Sequence, residues 1–325
     1  MKYCFIINST AGKGIFTQQV LKDIEATCSG AEADYQVFMS ADTQAARDYV
    51  AEIAAALGDD ERAAFIACGG DGTLSKTVSA VMMLPEEMRE RVCVGVIPIG
   101  TGNDFVSNFA NKERFFDISA QLEPTTFKID LLKCNDLYSV NMVNIGFDCQ
   151  VACKKEEIGK KAWVPRKLAY IFSLVITLVR KPGVKMEFSA DGKEGVKKEL
   201  LLTTFANGAF CGGGFKSNPV ATLNDGQIDC IAVNDVSRTK FVSMVGSYKK
   251  GLHLTEKFEK ILSNFKCRRA DMYFPEETAI SVDGEINRVL ELHITVADKA
   301  LNFILPKGVS AFRSAEAEAV CEPVM

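Results

Sequence analysis

Residues 63–83, "AAFIACGGDGTLSKTVSAVMM", decide the fold. Residues 63–67 are a short apolar run and read as a buried strand. Gly69–Thr73 come next as a glycine loop. From Leu74 to Met83 the apolar positions return at helical spacing, with Leu74, Val78, Val81 and Met82 on one face. Strand, glycine loop and helix in succession form the repeating unit of a parallel α/β sheet. Such a junction also aims backbone N–H groups and a helix dipole at an anion. Asp71 is then a puzzle, because a carboxylate in that loop would repel the anion.

Working outward, the same alternation extends over residues 1–130. Residues 3–7 read as a strand, and 16–27 as a helix with Val20, Leu21 and Ile24 on one face. Strand 35–39, helix 43–57 capped by Asp42 or Thr43, and strand 92–98 come after it, the last running into a second glycine loop, "IGTGNDF". Short buried strands joined by helices predict a parallel sheet. Beyond residue 130 the character changes. Strands are predicted at 131–133, 138–145, 185–189, 198–206, 228–233, 279–282 and 290–296, with Asp-Gly turns at 191–192 and 283–284. Helical stretches at 163–180 and 238–262 interrupt them. The expected organisation is an α/β domain over 1–130, a β-rich sandwich over 131–307 and a tail over 308–325.

Composition narrows the function classes. The chain has 325 residues and a formal net charge of −4, so nothing global draws it to nucleic acid, and any basic patch is local. Its 11 cysteines are scattered without a CxxC, and its two histidines lie far apart. That pattern speaks against a zinc site or a disulfide scaffold and suits a reducing cytoplasm. The longest apolar stretch, residues 168–179, falls short of the ~20 residues that a spanning helix requires.

Three loops qualify as phosphate cradles: "NSTAGKG" (8–14), "GGDGT" (69–73) and "GTGND" (100–104). In an open α/β sheet they would gather at the carboxyl ends of the strands, where ligands bind. The first is not a Walker loop, since Lys13 is followed by Gly14. Nor does it complete a dinucleotide fingerprint, since Thr17 stands where a third glycine is needed. Carboxylates accompany the loops: Asp71, Asp104, Asp130 at the domain junction, and Asp283 and Glu285 in "VDGE". Phosphoryl transfer uses such groups to hold Mg²⁺ and to position the attacking hydroxyl. Taken singly, each aspartate reads better as a turn or cap residue, Asp283 above all.

Together, "GGDGTL" (69–74) and "PIGTGNDF" (98–105) resemble the diacylglycerol kinase catalytic-domain family, which includes bacterial soluble lipid kinases and the sphingosine kinases. "NGAFCGGGFKSNPVATLNDGQID" (207–229) and "VDGE" (282–285) extend the likeness in family order. The "GGDGT" loop alone is shared with NAD kinases and phosphofructokinase-like folds. The resemblance implies an N-terminal α/β domain of that type, a β-sandwich C-terminal domain, and ATP with Mg²⁺ bound in the cleft between them.

The resemblance also implies roles for particular residues. Asn8, Ser9, Thr10, Ala11, Gly12, Ser40, Gly69, Gly70, Asp71, Gly72, Thr73, Gly100, Thr101 and Asn103 match positions that hold ATP. Asp71, Asp104 and Asp130 match an acidic network that positions magnesium. Asp283 and Glu285 match the turn that supplies the base for the lipid hydroxyl, either of them being open to that role. Thr222, Asp225 and Gln227 match a structural metal site. Two departures stand out: Ser9 replaces the proline usual after the first asparagine, and Asn224 stands where a second aspartate is common.

The expected reaction is transfer of the ATP γ-phosphate to a lipid hydroxyl. Diacylglycerol is the first substrate expected, giving phosphatidic acid, with phosphatidylglycerol or a sphingoid base next. A NAD kinase is the other reading, although "GTGNDF" favours the lipid class. A basic run, Lys154, Lys155, Lys160, Lys161, Arg166 and Lys167 around Trp163, suits peripheral contact with an anionic membrane, each charge contributing about 1 kcal/mol there. The same run also reads as a solvated loop before a core helix. No nucleic-acid partner is expected, and a homodimer is open to such a chain.

Overall fold

The computed structural model describes residues 1–8, 15–40, 42–147, 149–151, 153–154, 177 and 183–311. Along the chain run β1 (Lys2–Ile7), α1 (Ile15–Gly30), β2 (Tyr35–Met39), α2 (Thr43–Ala55), β3 (Ala63–Gly69), α3 (Asp71–Met82), α4 (Glu86–Arg89), β4 (Val92–Pro98), β5 (Phe109–Ala110) and α5 (Ile118–Leu122). Then come β6 (Thr125–Cys134), β7 (Leu137–Ser139), β8 (Met142–Gly146), β9 (Val184–Ala190), β10 (Val196–Ala206), β11 (Ile228–Asn234) and α6 (Arg238–Lys249). The chain continues with β12 (Leu262–Cys267), β13 (Arg269–Val282), β14 (Glu285–Leu305) and β15 (Ser310–Ala311). It divides into two compact units. The first comprises residues 1–131, Gly212–Gly214 and the chain from Asp298 onward; the second comprises 132–211 and 215–297.

In the first unit β2, β1, β3 and β4 lie side by side in that order, all parallel. Every residue of β3 and β4 is buried, as expected of strands covered on both faces. Phe5, Ile7, Ile66 and Ile97 pack with Ile24 and Cys28 of α1 on one side. Phe105, Phe109, Phe115 and Phe303 form an aromatic cluster with ring centroids 5.2–6.2 Å apart. The registers Ile7–Met39, Ile7–Cys68 and Gly69–Pro98 bring the four carboxyl ends level, which makes one edge of this sheet the place for a ligand.

The second unit is antiparallel. The first half of β10 pairs with β9 and its second half with β8. Likewise β13 pairs early with β9 and late with β8. Two long strands thus pass from one layer to the other, and the sheet folds over a core that includes Leu132, Ile145, Phe205, Met272 and Ile294. This is the β-sandwich that the sequence predicts.

The differences from the sequence reading are local. Helix α3 begins at Asp71 rather than Leu74, because Gly70 acts as its N-cap and accepts from the N–H groups of Thr73 and Leu74. The stretch 138–145 is two strands, split at Val140–Asn141. Helix α6 stops at Lys249, not 262. Gly251 ends it with φ +72° in a Schellman motif, Gly251 N–H to Tyr248 C=O at 3.1 Å and Leu252 N–H to Ser247 C=O at 2.8 Å. The next regular element is β12. Strand β13 begins at Arg269, its polar middle Glu276–Glu277 having hidden it, and β14 runs on to Leu305. The helix expected over 163–180 and most of the basic run around Trp163 lie outside the described residues.

Candidate active site

The site is built at the carboxyl edge of the parallel sheet. Gly69 closes β3, and a Cβ there would lie 2.1 Å from Thr73 Oγ1. Asp71, Gly72 and Thr73 form the first turn of α3, so part of the expected loop is a helix N-terminus, where the N–H groups of Asp71 and Gly72 have no place in the helix ladder. Asp71 stabilises that turn by roughly 0.3–1 kcal/mol through the helix dipole. The second glycine turn packs directly on the first: a Cβ on Gly100 would lie 2.3 Å from Gly70 Cα. These two glycines therefore let one turn approach the other as well as a ligand. Asn103 staples its own turn at φ +55°, accepting from Gly100 N–H at 3.1 Å and donating to the Pro98 carbonyl at 2.7 Å. Thr101 is exposed beside it.

Asn8 follows β1 and donates from its side chain to Thr73 Oγ1 at 3.3 Å. Ser40 follows β2; its N–H donates to the Ile7 carbonyl at 3.1 Å and its Oγ accepts from Asp42 N–H at 3.0 Å. Asn8, Ser40, Gly70 and Gly100 thus stand at the ends of four neighbouring strands. Ser9, Thr10, Ala11 and Gly12 lie outside the described residues.

The three aspartates of the expected magnesium network are placed differently from one another. Asp71 is half-buried; its Oδ1 accepts from Phe105 N–H at 3.0 Å, and its Oδ2 carries no hydrogen bond among the described residues. Asp104 is buried and faces Asp71 across Gly102, where a Cβ would lie 3.0 Å from Asp71 Oδ2 and 3.7 Å from Asp104 Oδ2. Both Asp104 oxygens accept from a glycine run, Gly213 N–H at 2.8 Å and Gly214 N–H at 2.7 Å. Burial pushes the Asp104 carboxyl up; the two N–H groups oppose that shift, and the charge of Asp71 adds to it. Asp130 is fully buried and accepts from Lys299 N–H at 2.7 Å. No group of three or more Asp, Glu, His or Cys gathers in a metal-holding arrangement among the described residues. Magnesium needs only one or two carboxylates besides phosphate and water. The outward oxygen of Asp71 fits that need, whereas those of Asp104 are already engaged.

In the second unit, Val282–Glu285 is a two-residue hairpin with Asp283 at φ +48° and Gly284 at φ +90°, the I′ turn typical of Asp-Gly. The Asp283 carboxylate accepts from Ser139 Oγ at 2.6 Å, Val140 N–H at 2.8 Å, and Asn141 and Met142 N–H at 3.0 Å each. Burial pushes its carboxyl up, and these four donors pull the other way. Three of these bonds fall on Oδ1 and one on Oδ2, and together they hold the β7–β8 connection. Glu285, two residues on, is exposed. Asp225 Oδ1 accepts from Gln227 N–H at 3.1 Å, and its Oδ2 accepts from Lys266 Nζ at 2.6 Å.

Comparison with known proteins adds to this geometry. A family model of the diacylglycerol kinase catalytic domain matches residues 2–134, and one of the YegS C-terminal NAD kinase beta sandwich-like domain matches residues 141–305. The chain belongs to the diacylglycerol kinase catalytic-domain family. It is an enzyme, a lipid kinase. A relative from Staphylococcus epidermidis is 31% identical over 243 residues, 73% of this chain and 74% of its own. The diacylglycerol kinase of Bacillus subtilis is 26% identical over 310 residues, 93% of this chain and 95% of that one. A solved diacylglycerol kinase structure from Bacillus anthracis, 18% identical, superposes with a TM-score of 0.69 over 94% of this chain and 97% of that one, which speaks for the fold.

Three features of this lipid kinase escaped the sequence reading. The Gly212–Gly214 run was visible, but not its partner Asp104. The cradle of Asp283 comes from the Ser139 hydroxyl and three backbone N–H groups, and the latter leave no trace in residue identity. Lys266 faces Asp225 and Asp229 because β12 is a strand that sets it opposite Asp229. No helix among the described residues is long and apolar enough to cross a membrane.

Proposed function

We propose that this lipid kinase transfers the γ-phosphate of ATP to the free hydroxyl of diacylglycerol, giving phosphatidic acid and ADP, with Mg²⁺ as cofactor. The observation that carries the reading is the carboxyl edge of the parallel sheet. There the α3 N-terminus, the apposed Gly70 and Gly100 turns and the outward Asp71 oxygen form a receptor for a metal-bound phosphate chain. Asn8, Ser40 and Thr101 line the same edge and would position the nucleotide. Bound at Asp71, Mg²⁺ would supply charge neutralisation on the phosphates.

Glu285 is assigned the base. It takes the proton of the lipid hydroxyl while that oxygen forms its bond to the γ-phosphorus and the bond to the ADP oxygen breaks. Asp283 fixes the turn that carries Glu285 and is a positioning residue. Similarity to a diacylglycerol kinase of Bacillus subtilis over 95% of its length supports the choice of lipid. The enzyme is expected to meet its substrate as a peripheral protein on the cytoplasmic face.

The test is incubation of the full chain with labelled ATP and Mg²⁺ against mixed micelles, each holding one lipid: diacylglycerol, phosphatidylglycerol or a sphingoid base. Label is expected in phosphatidic acid. Label confined to either of the other lipids would overturn the substrate, and label only in a water-soluble product such as NADP would overturn the lipid reading.

A further inference from the structure

We propose that the Lys266 ammonium is the built-in cation of the turn at Thr222–Gln227, and that this turn holds no divalent metal. The family resemblance places a structural metal there, on Asp225 and two backbone carbonyls. The residues of this chain do not fit one.

Strand register supplies the first reason. β11 and β12 are antiparallel, and Lys266 stands directly opposite Asp229. Both side chains emerge on the same face of the pair, so the lysine is delivered to the acidic end of the turn by backbone geometry. Its Nζ lies 2.6 Å from Asp225 Oδ2 and 3.4 Å from Asp229 Oδ2. The other oxygen of Asp225 accepts from Gln227 N–H at 3.1 Å. Each Asp225 oxygen thus already has a protein donor, and the stronger donor carries a full positive charge.

Burial is the second reason. Asp229 is fully buried, and neither of its oxygens makes a well-formed hydrogen bond. A buried carboxylate in that position needs a cation beside it. Lys266 is that cation, set opposite Asp229 by the strand register and within 3.4 Å of both carboxylates. A divalent ion on Asp225 Oδ2 would sit within a few ångströms of the ammonium and be repelled by it. Asn224, a neutral residue in the same turn, adds no negative charge to draw a metal in. Lys266 also joins β12 to the turn electrostatically, which is the structural service a metal would render.

The test uses the full chain without nucleotide or lipid, so its outcome is independent of the reaction proposed above. Thermal unfolding is recorded in EDTA and in Mg²⁺ or Ca²⁺, on an Asp71→Asn background that removes the metal-holding oxygen of the other unit. The expected result is a midpoint that does not move with either metal, before or after Asp225→Asn. A midpoint raised by metal and returned to the EDTA value by Asp225→Asn would overturn the proposal. A second arm asks for the positive sign. Lys266→Met is expected to lower the midpoint and to make it respond to metal, and Lys266→Arg to restore metal independence. Should Lys266→Met not fold, the Arg variant and the Asp225→Asn comparison still decide. A Lys266→Met protein with an unchanged midpoint would also count against the lysine as the required cation.

Discussion

Two Asp-Gly pairs in this chain have opposite fates. Asp71-Gly72 opens helix α3, and one oxygen of Asp71 is left without a hydrogen bond among the described residues. Asp283-Gly284 closes a hairpin, and all four donors around Asp283 are spent on its carboxylate. The dipeptide is the same; the availability of the carboxylate is not. An oxygen left open at a helix N-terminus can take a hydrated metal, whereas a carboxylate held by one hydroxyl and three backbone N–H groups has become part of the fold. On the proposed reading, the first unit works through what its fold leaves unsatisfied, and the second is held by what its fold satisfies.

Substitution at Asp71 breaks the comparison most sharply. Asp71→Asn keeps the shape of the turn and removes the charge that would hold the metal. Metal stabilisation of a transferring phosphoryl group amounts to several kcal/mol, so kcat is expected to fall by roughly 10³-fold or more. Unfolding in urea should shift by about 1 kcal/mol or less, since the amide oxygen can still accept from Phe105 N–H and only the helix-dipole interaction is lost. Steady-state kinetics at saturating Mg²⁺ would read this, and an unimpaired kcat would remove Asp71 from the metal site.

The neighbouring pair in the second unit should separate the two kinds of loss. Glu285→Gln is expected to lower kcat by roughly 10²- to 10⁴-fold, the range of general base catalysis, with stability unchanged. Asp283→Ala is expected to act on stability first. It strands four donors, each costing about 1–3 kcal/mol when buried without a partner, so a loss of about 3 kcal/mol or more should appear in urea unfolding. If Glu285→Gln left kcat intact while Asp283→Asn abolished it without loss of stability, the roles assigned to the two would be reversed.

How far the sequence foretold this arrangement depended on what each feature rests upon. The parallel half was legible because its strands are short, apolar and separated by glycine turns, so β2 and β4 fall at the expected residues. The sandwich was legible as a class but not in its strands. Glu276 and Glu277 interrupt the apolar pattern of β13, and the reading carried α6 past Gly251 to residue 262, where β12 begins, without a strand after it. Losing β12 concealed Lys266, since without that strand nothing places it opposite Asp229. The roles of Asp71 and Asp283 could not be told apart for a related reason. The groups that distinguish them are main-chain N–H groups, which every sequence has.

His253 tests the sealed side of the comparison from the other direction, with the smallest expected effect. It is fully buried, its ring 4.6 Å from that of Tyr248, and its nitrogens face the backbone of Ser217 and Ser247 without a well-formed hydrogen bond. Asp283 is sealed with donors that favour its charge; His253 is sealed with little that would favour its own. Burial pushes its imidazole down to about 4. In the unfolded chain the group titrates near 6.5. Above that pH neither state is protonated, and the contribution of His253 to stability is fully present. Between about 6.5 and 4 the unfolded chain takes up a proton that the folded chain refuses, so stability falls with pH. The loss reaches at most about 3.5 kcal/mol. His253→Phe keeps a ring against Tyr248 and removes the proton. Urea unfolding of the two proteins at pH 7.5 should differ little, and by pH 4.5 the variant should be the more stable. Parallel pH profiles for the two would mean that His253 gains its proton as readily folded as unfolded, and that its pocket is not sealed.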